Sequence, residues 1–133
     1  MNTTEIDLHR IELRYAHIRV TDESKIRKLA HSISQHGQIE GMLTVPGGSK
    51  GTCILIDGYQ RQAALRYIGR DTGIITMSEL SEKQTLFQLL RGSGKRQWET
   101  IEEAGLIQEL YHRFDYSFSE IGKRIGRDKS YPL

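Results

Sequence analysis

The apolar positions in the first third of the chain predict a short strand followed by a helix. Apolar residues within positions 6–13 indicate an N-terminal strand and turn. A helix then opens at Thr21, which can cap free N–H groups, and the acids Asp22 and Glu23 suit the positive end of the helix dipole. Gly37 is a natural helix end. The buried face of the helix repeats at the i, i+3, i+4, i+7 spacing, at Ile26, Leu29, Ala30 and Ile33.

A strand, a tight glycine turn, a helix and a further strand follow in the middle of the chain. Residues 42–45 are typical of a strand, and residues 53–57 form a very apolar second strand that we expect to be central. Gly58 breaks this strand, a helix runs on to Gly69, and residues 74–77 form the next strand. This order predicts a small layer of helices on a sheet of three or four strands.

From Ser81 onward the pattern is helical. Three capping boxes punctuate it: Ser81 with Gln84, Thr100 with Glu103, and Ser117 with Glu120. Two apolar stripes accompany them, one at Ile107, Leu110, Tyr111 and Phe114, and one at Ile121 and Ile125. A flexible basic loop at residues 91–96 marks the expected boundary between domains of residues 1–95 and 96–133. The predicted fold class is α+β, a small mixed sheet with packed helices followed by an all-helical C-terminal half.

Composition places the chain among globular proteins without identifying a partner. Its 133 residues fit one domain with at most a small appendage, and 37% hydrophobic with 27% charged residues is ordinary. The single cysteine, Cys53, excludes an internal disulfide and favours the cytoplasm, and no apolar run reaches membrane-spanning length. The net charge of +2 is compatible with nucleic acid but does not demand it. Basic residues cluster at two places, Arg91, Lys95 and Arg96, and Lys123, Arg124, Arg127 and Lys129.

The turn at residues 56–61 carries the strongest indication of chemistry. Gly58 lets the backbone turn sharply between a buried strand and a helix. The first N–H groups of that helix have no internal partner and carry partial positive charge, so together with Arg61 they form a candidate phosphate cradle. Many such turns bind nothing, and the spacing alone leaves both interpretations open. Asp57 either caps the helix or orients Arg61, and Tyr59 either stacks on a base or ribose or packs internally.

These segments together resemble the ParB N-terminal domain family of the ParB/sulfiredoxin superfamily, over nearly the whole chain. The resemblance is carried by the acid-rich helix start at residues 22–26, the Ser-Ile-x-x-His-Gly pattern at 32–37 and the Asp-Gly-x-x-Arg signature at 57–61. The helical half adds Ile-Glu-Glu-Ala at 101–104 and a helix-turn-helix opening at 117–126. The pattern around Arg96, Trp98 and residues 102–104 is similar to ParB-like proteins carried on mobile elements.

The resemblance implies a ParB-like adaptor for DNA partitioning or mobile-element maintenance that binds CTP or a related nucleoside triphosphate, binds DNA and forms a homodimer. The implied nucleotide and phosphate site comprises Gly58, Tyr59, Gln60, Arg61, Lys95 and Arg96. The implied DNA-binding residues are Lys123, Arg124, Arg127, Lys129 and Ser130. No membrane partner is expected.

Three departures from the family pattern narrow these expectations. Tyr59 and Gln60 replace an acid and an arginine, so only Arg61 keeps its charge. In place of the family's Glu-Asn-x-x-Arg motif, Lys95 or Arg96 can supply a cation, but no acid–amide pair remains to hold magnesium. We therefore expect no metal site and at most a weak NTPase. The sequence also stops where the second, base-reading helix would begin. We expect an incomplete helix-turn-helix that binds DNA weakly, without sequence preference, and less as salt rises.

Two other classes of function stay open beside the ParB-type adaptor. One is an enzyme on the same fold, a nuclease or a small-molecule kinase, although no catalytic constellation is evident and His31 and His36 do not share a helix face. The other is a protein-interaction module whose phosphate site has decayed. Sulfiredoxin activity is not expected, because its catalytic cysteine follows the glycine of this turn, where this chain has Tyr59, and Cys53 lies in the preceding strand.

Overall fold

The computed structural model describes residues 2–91 and 100–124, and the chain divides into two compact units between Glu79 and Leu80. The first unit contains a sheet with two helices, and the second contains helices. The expected domain boundary between residues 95 and 96 lies outside the described residues and stays a prediction. Among the described helices, none is long and apolar enough to cross a membrane.

The sheet of the first unit has five strands in the order β1-β5-β3-β4-β2. Their bounds are β1 (Asn2–Asp7), β2 (Ile11–Glu12), β3 (Met42–Pro46), β4 (Cys53–Asp57) and β5 (Thr72–Met77). The pairs β1–β5 and β3–β4 are antiparallel, whereas β2–β4 and β3–β5 are parallel. The sheet is therefore mixed, as predicted.

Two details of the predicted sheet were wrong. The sheet has five strands rather than three or four, because β1 pairs along β5 and the two-residue β2 pairs with β4. The middle strand is β3, and β4 lies between β3 and the edge strand β2. β4 has a neighbouring strand on each side, and its residues Cys53 to Ile56 are all buried. This burial explains why the strand is an apolar run.

Two helices pack against each other in this unit, α1 (Glu23–His36) and α2 (Tyr59–Tyr67), and α2 also contacts β3 and β5. The cap of α1 is Asp22 rather than the predicted Thr21, because the Asp22 carboxylate accepts from the backbone N–H groups of Ser24 and Lys25. Gly37 ends α1 with a φ of 77°, as predicted from its position.

The core of the first unit comprises buried side chains of its strands and helices, and both faces of β4 are buried. Its fully buried side chains include Met42, Leu55, Ile56, Leu65 and Ile75. Burial of a side chain of this size stabilises the fold by about 1.5–3 kcal/mol relative to exposure. The strand end at Asp57 and the start of α2 are therefore fixed by packing on both sides.

The second unit contains α3 (Glu82–Arg91), α4 (Thr100–Arg113) and α5 (Phe118–Arg124). Two predicted capping boxes are confirmed. Gln84 Oε1 accepts from the Ser81 N–H at 3.0 Å, and Glu120 Oε1 accepts from the Ser117 N–H at 3.0 Å. The side chain of Thr100, which the third box requires, lies outside the described residues.

The apolar stripes of this unit are confirmed in part. Ile107, Leu110 and Ile121 are buried, together with Leu106, which the predicted stripe omitted. Tyr111 was wrongly assigned to the buried face, because it is 40% exposed and stacks on Phe118 at 4.3 Å between ring centroids. Ile125 lies outside the described residues.

Candidate functional site: the turn between β4 and α2

The turn at Gly58 requires glycine for two independent reasons. Its φ of 109° and ψ of 24° place it in the left-handed region, which L side chains rarely adopt. A Cβ atom at this position would lie 3.1 Å from Cγ and 3.3 Å from Cα of Met42 in the adjacent strand β3. The chain can therefore pass from β4 directly into α2 only with glycine at this point.

Asp57, the last residue of β4, holds this turn and a distant arginine together. Its Oδ1 accepts the Gly58 N–H at 3.0 Å and also pairs with Nη1 of Arg19 at 3.0 Å. The Arg19 side chain is only 13% exposed, and its guanidinium lies 6.0 Å from the ring centroid of Tyr59. Asp57 thus bonds the N–H of Gly58, the residue before α2, and positions Arg19. It neither caps the first turn of α2 nor orients Arg61, so both alternatives that the sequence left open were wrong.

The first turn of α2 offers free donors to an anion. Its first intrahelical bond runs from the Gln62 N–H to the Gly58 carbonyl at 2.9 Å, so the preceding N–H groups of the helix have no intrahelical partner. Gly58 supplies no side-chain cap, and the first turn contains no acid. The partial positive charge of the helix N-terminus is therefore not neutralised within α2 itself.

Arg61 lies on this first turn and is paired with a carboxylate from another loop. Its Nη2 lies 3.3 Å from Oε1 of Glu40, whose side chain is 77% exposed. Gln38 fixes that loop, because its Nε2 donates to the carbonyls of Glu40 and Ile74 and its Oε1 accepts the Ile74 N–H. The Arg61 side chain is itself only 23% exposed, and its partner Glu40 faces solvent.

Tyr59 is built into the core rather than displayed. Its hydroxyl donates to the Leu55 carbonyl at 2.8 Å and accepts the Tyr15 N–H at 3.0 Å, and the side chain is 9% exposed. Burial raises the pKa of Tyr59 well above its usual range, so the hydroxyl stays protonated at neutral pH. The sequence left open whether Tyr59 stacks on a base or packs internally, and internal packing is confirmed. The backbone N–H is then the part of Tyr59 that remains for a ligand.

A cavity of about 160 Å³ adjoins this turn within the first unit. One wall is the segment from Leu13 to Ile26, and the other is the first turn of α2, including the half-buried Gln60 and the buried Gln62. Tyr59 and Gln60 line this cavity, whereas Arg61 lines a different cavity of about 200 Å³ beside Ile33 and Glu40. Lys95 and Arg96, the other predicted phosphate residues, lie outside the described residues.

Among the predicted DNA-binding residues, the structure describes Lys123 and Arg124, at the end of α5. Lys123 is exposed. The Arg124 guanidinium lies 5.5 Å from the ring centroid of Phe87 and 5.0 Å from that of Tyr116, so it packs on two aromatic rings. The other three, Arg127, Lys129 and Ser130, lie outside the described residues.

Metal binding and thiol chemistry both depend on the arrangement of His, Cys, Asp and Glu side chains. No group of three or more His, Cys, Asp or Glu residues is arranged to hold a metal ion among residues 2–91 and 100–124. Cys53 is fully buried in β4, and burial raises the pKa of its thiol. A buried, protonated thiol of this kind behaves as a small apolar side chain.

The sequence patterns missed three residues of this site. Arg19 and Gln38 reach their partners across sequence separations of 38 and 36 residues, which no local spacing reveals. Gln62 belongs to none of the sequence motifs described above. A buried polar residue on the apolar side of a predicted helix was the one available signal for it.

Comparison with protein families shows which family the chain belongs to. The ParB N-terminal domain model matches residues 1–94, and the chain therefore belongs to the ParB N-terminal domain family. A nucleoid occlusion protein of Oceanobacillus iheyensis is 24% identical over 118 residues, covering 88% of this chain and 41% of the relative. A probable chromosome-partitioning protein ParB of Pseudomonas putida is 25% identical over 117 residues, covering 87% and 40%. The chain spans about two fifths of the length of these relatives.

Solved structures share the fold. The C-terminally truncated ParB of Caulobacter crescentus complexed with CTP-γ-S has a TM-score of 0.61 and 22% identity, covering 98% of this chain and 74% of that one. Sulfiredoxin from Arabidopsis thaliana has a TM-score of 0.57 and 21% identity, covering 67% of this chain and 98% of that one. The predicted ParB/sulfiredoxin-like architecture is thereby confirmed.

Proposed function

We propose that this chain is a ParB-type module that binds a nucleoside triphosphate, CTP in the first instance, at the Gly58 turn and binds DNA through its helical half. The observation that carries the proposal is the uncapped N-terminus of α2 with Arg61 on its first turn and Arg19 held beside it by Asp57. Oriented N–H groups and guanidinium side chains are the groups that recognise phosphate oxygens. The likeness to a ParB solved with CTP-γ-S supports the choice of nucleotide.

Arg61 is the cation that an incoming phosphate can recruit most readily. Its carboxylate partner Glu40 is 77% exposed, whereas Asp57, the partner of Arg19, also accepts the Gly58 N–H. Because Glu40 faces solvent, water screens its ion pair with the 23% exposed Arg61 in part, and we infer that a phosphate group can replace Glu40. Arg19 is more firmly held, and we infer that it contributes positive potential to the site without leaving Asp57.

Nucleotide binding to the purified chain, measured by titration calorimetry, tests this half of the proposal. Arg61→Ala should weaken CTP binding about tenfold or more, because a charge-assisted hydrogen bond is worth about 1.5–3 kcal/mol. Arg66→Ala is the matched control, since Arg66 is an exposed arginine in the last turn of the same helix. Equal affinity of the two variants, or no nucleotide binding by the unmodified chain, would remove the nucleotide site from the proposal.

The DNA-binding half rests on α5, and its support is the Ser117–Glu120 cap and the buried Ile121 that the helix-turn-helix hypothesis requires of a first helix. We infer that Lys123, which is exposed, contacts the phosphate backbone. Arg124 is engaged with Phe87 and Tyr116, so we expect it to support the helix packing at least as much as DNA. Backbone contacts of this kind give binding without base preference.

Salt dependence of DNA binding provides the test. Binding of a labelled duplex should weaken steeply as salt rises, and Lys123→Ala should reduce the log–log salt slope by about one, the value expected for one phosphate contact. Lys28→Ala, an exposed lysine of α1, should leave the slope unchanged. An unchanged slope in the Lys123 variant would place the DNA contact elsewhere.

The finer expectations belong to the same proposal. Homodimer formation, a role in DNA partitioning or mobile-element maintenance, and domains of residues 1–95 and 96–133 are what the family resemblance supports. Light scattering after size exclusion, with and without CTP, tests the dimer. A protein-interaction module with a decayed phosphate site is the second candidate, favoured by the Glu40 carboxylate already paired with Arg61. It would be supported by intact folding without any nucleotide binding.

A further inference from the structure

Two cationic side chains from different helices of the second unit meet on the ring of Tyr116. Tyr116 lies in the segment between α4 and α5, and its ring packs edge-to-face with that of Phe87 in α3, with 5.0 Å between the centroids. The Nζ atom of Lys83, from α3, lies 5.9 Å from the Tyr116 centroid, and the Arg124 guanidinium, from α5, lies 5.0 Å from it. Cations are attracted to an aromatic ring at such distances. The fold of this unit therefore holds two cations on one small patch.

Neither cation of this patch is neutralised by an ion pair in the part of the chain that the structure describes. Among residues 2–91 and 100–124, no carboxylate lies within ion-pair distance of Lys83 or Arg124, whereas Arg113 of α4 is paired with Glu109 at 3.4 Å. Lys83 and Arg124 are both exposed. An exposed cation without a carboxylate partner can contact a phosphate group without first breaking an ion pair.

The position of Lys83 in α3 is not explained by the stability of that helix. Lys83 is the second residue of α3, and the N-terminus of a helix carries partial positive charge, so a cation in the first turn is electrostatically unfavourable. Arg124 differs in this respect, because it lies in the last turn of α5, where a cation is favourable. The contact with Tyr116 holds the Lys83 ammonium in place, but it supplies no negative charge. A phosphate group would supply that charge.

We propose that Lys83 contacts a backbone phosphate of bound DNA, so that the DNA-binding surface of the second unit extends from α5 onto α3. This inference rests on the proposed DNA binding through Lys123 and adds a second helix to it. Lys83 makes the contact, whereas Arg124, which packs on two rings, adds positive potential beside it. Successive phosphates of one DNA strand are about 3.4 Å apart along the duplex axis, so cations from two helices can meet neighbouring phosphates.

The salt dependence of duplex binding by the full chain tests this contact. Lys83→Ala should reduce the log–log salt slope by about one, and combining it with Lys123→Ala should reduce the slope by about two. The affinity lost in Lys83→Ala should therefore shrink about threefold between about 50 and 200 mM salt. Lys83→Arg keeps the charge and should keep the slope of the unmodified chain. Lys28→Ala, which removes an exposed lysine of α1, is the matched control and should leave the slope unchanged.

Several results would overturn the inference. An unchanged slope in Lys83→Ala, with a reduced slope in Lys123→Ala, refutes the role of Lys83 and leaves the proposed DNA binding standing. An affinity loss that stays constant as salt rises would mean that Lys83 only packs on Tyr116. An equal reduction of the slope in Lys28→Ala would show an effect of net charge, and a reduced slope in Lys83→Arg would show that charge is not what the DNA contacts. Absence of duplex binding by the unmodified chain would overturn the inference and the DNA-binding half of the proposed function together.

Discussion

Removing the hydroxyl of Tyr59 would break the contact that joins the start of α2 to two other parts of the first unit. The hydroxyl donates to the Leu55 carbonyl in β4 at 2.8 Å and accepts the Tyr15 N–H at 3.0 Å. All three residues are buried, with Tyr15 at 1% and Leu55 at 0% exposure. Tyr59→Phe keeps the ring and its packing and deletes both hydrogen bonds at once.

The expected loss follows from what is left inside the protein. Each net hydrogen bond contributes about 0.5–1.5 kcal/mol, and a buried backbone group that loses its partner costs about 1–3 kcal/mol. Water does not reach these groups readily, because both lie at fully buried positions. We expect Tyr59→Phe to lower the free energy of unfolding by about 2–3 kcal/mol, a substantial part of the stability of a small domain.

Urea unfolding followed by circular dichroism measures this difference directly. Tyr67→Phe is the matched control, because Tyr67 ends the same helix and is 64% exposed, so its change should stay within about 0.5 kcal/mol. A Tyr59→Phe variant as stable as the Tyr67→Phe variant would refute the structural role assigned to the hydroxyl. The ring would then hold its place by apolar packing alone.

Two further expectations concern the turn and the second unit. Gly58→Ala should cost about 1–3 kcal/mol in the same unfolding assay and weaken nucleotide binding, because alanine is strained at a φ of 109° and its Cβ would crowd Met42. A variant as stable as the unmodified chain would contradict this. The pKa of Glu120 is lowered, chiefly by its hydrogen bond from the Ser117 backbone. The charged Glu120 carboxylate therefore stabilises the folded state above the ordinary glutamate pKa. This stabilisation is lost as the pH falls through the lowered pKa of Glu120. Thermal unfolding of Glu120→Gln should differ from the unmodified chain at neutral pH and converge with it in acid, and a constant difference would contradict this.

Local patterns predicted the elements whose formation depends on neighbouring residues. The apolar runs that became β3 and β4, the stripe of α1 and the glycine ends at Gly37 and Gly58 follow from side-chain spacing and backbone freedom, and all are present. Capping at Ser81 and Ser117 was likewise readable, because both partners of a capping box lie within four residues. The exact cap of α1 was not, since Thr21 and Asp22 are both competent and only the backbone path selects Asp22.

Pairing between strands and side chains that are distant in sequence could not be predicted from local patterns. The two residues of β2 gain strand structure only from β4, and the position of β3 at the middle of the sheet depends on crossovers that leave no local trace. The residues of the candidate site divide in the same way, into those predictable from local sequence and those that depend on long-range contacts. Gly58 and Arg61 could be named from one short segment, whereas Arg19 depends on Asp57 and the loop that carries Glu40 depends on Gln38. Such contacts join residues that are distant in sequence, so their chemistry emerges only after folding.

The burial of Tyr59 explains how the start of α2 keeps its N–H donors although Tyr59 and Gln60 replace the acid and the arginine of the family pattern. The donors at the start of α2 are backbone N–H groups, and they depend on the φ of Gly58 and on helix formation rather than on the side chains that follow. Tyrosine at position 59 turns inward and strengthens the turn through Leu55 and Tyr15. The replacement therefore removes charge without removing the geometry. Among the described residues, the cations at this turn are Arg61 and Arg19, which Asp57 holds, so we expect phosphate affinity at the proposed site to fall on the loss of Arg61 or of Arg19.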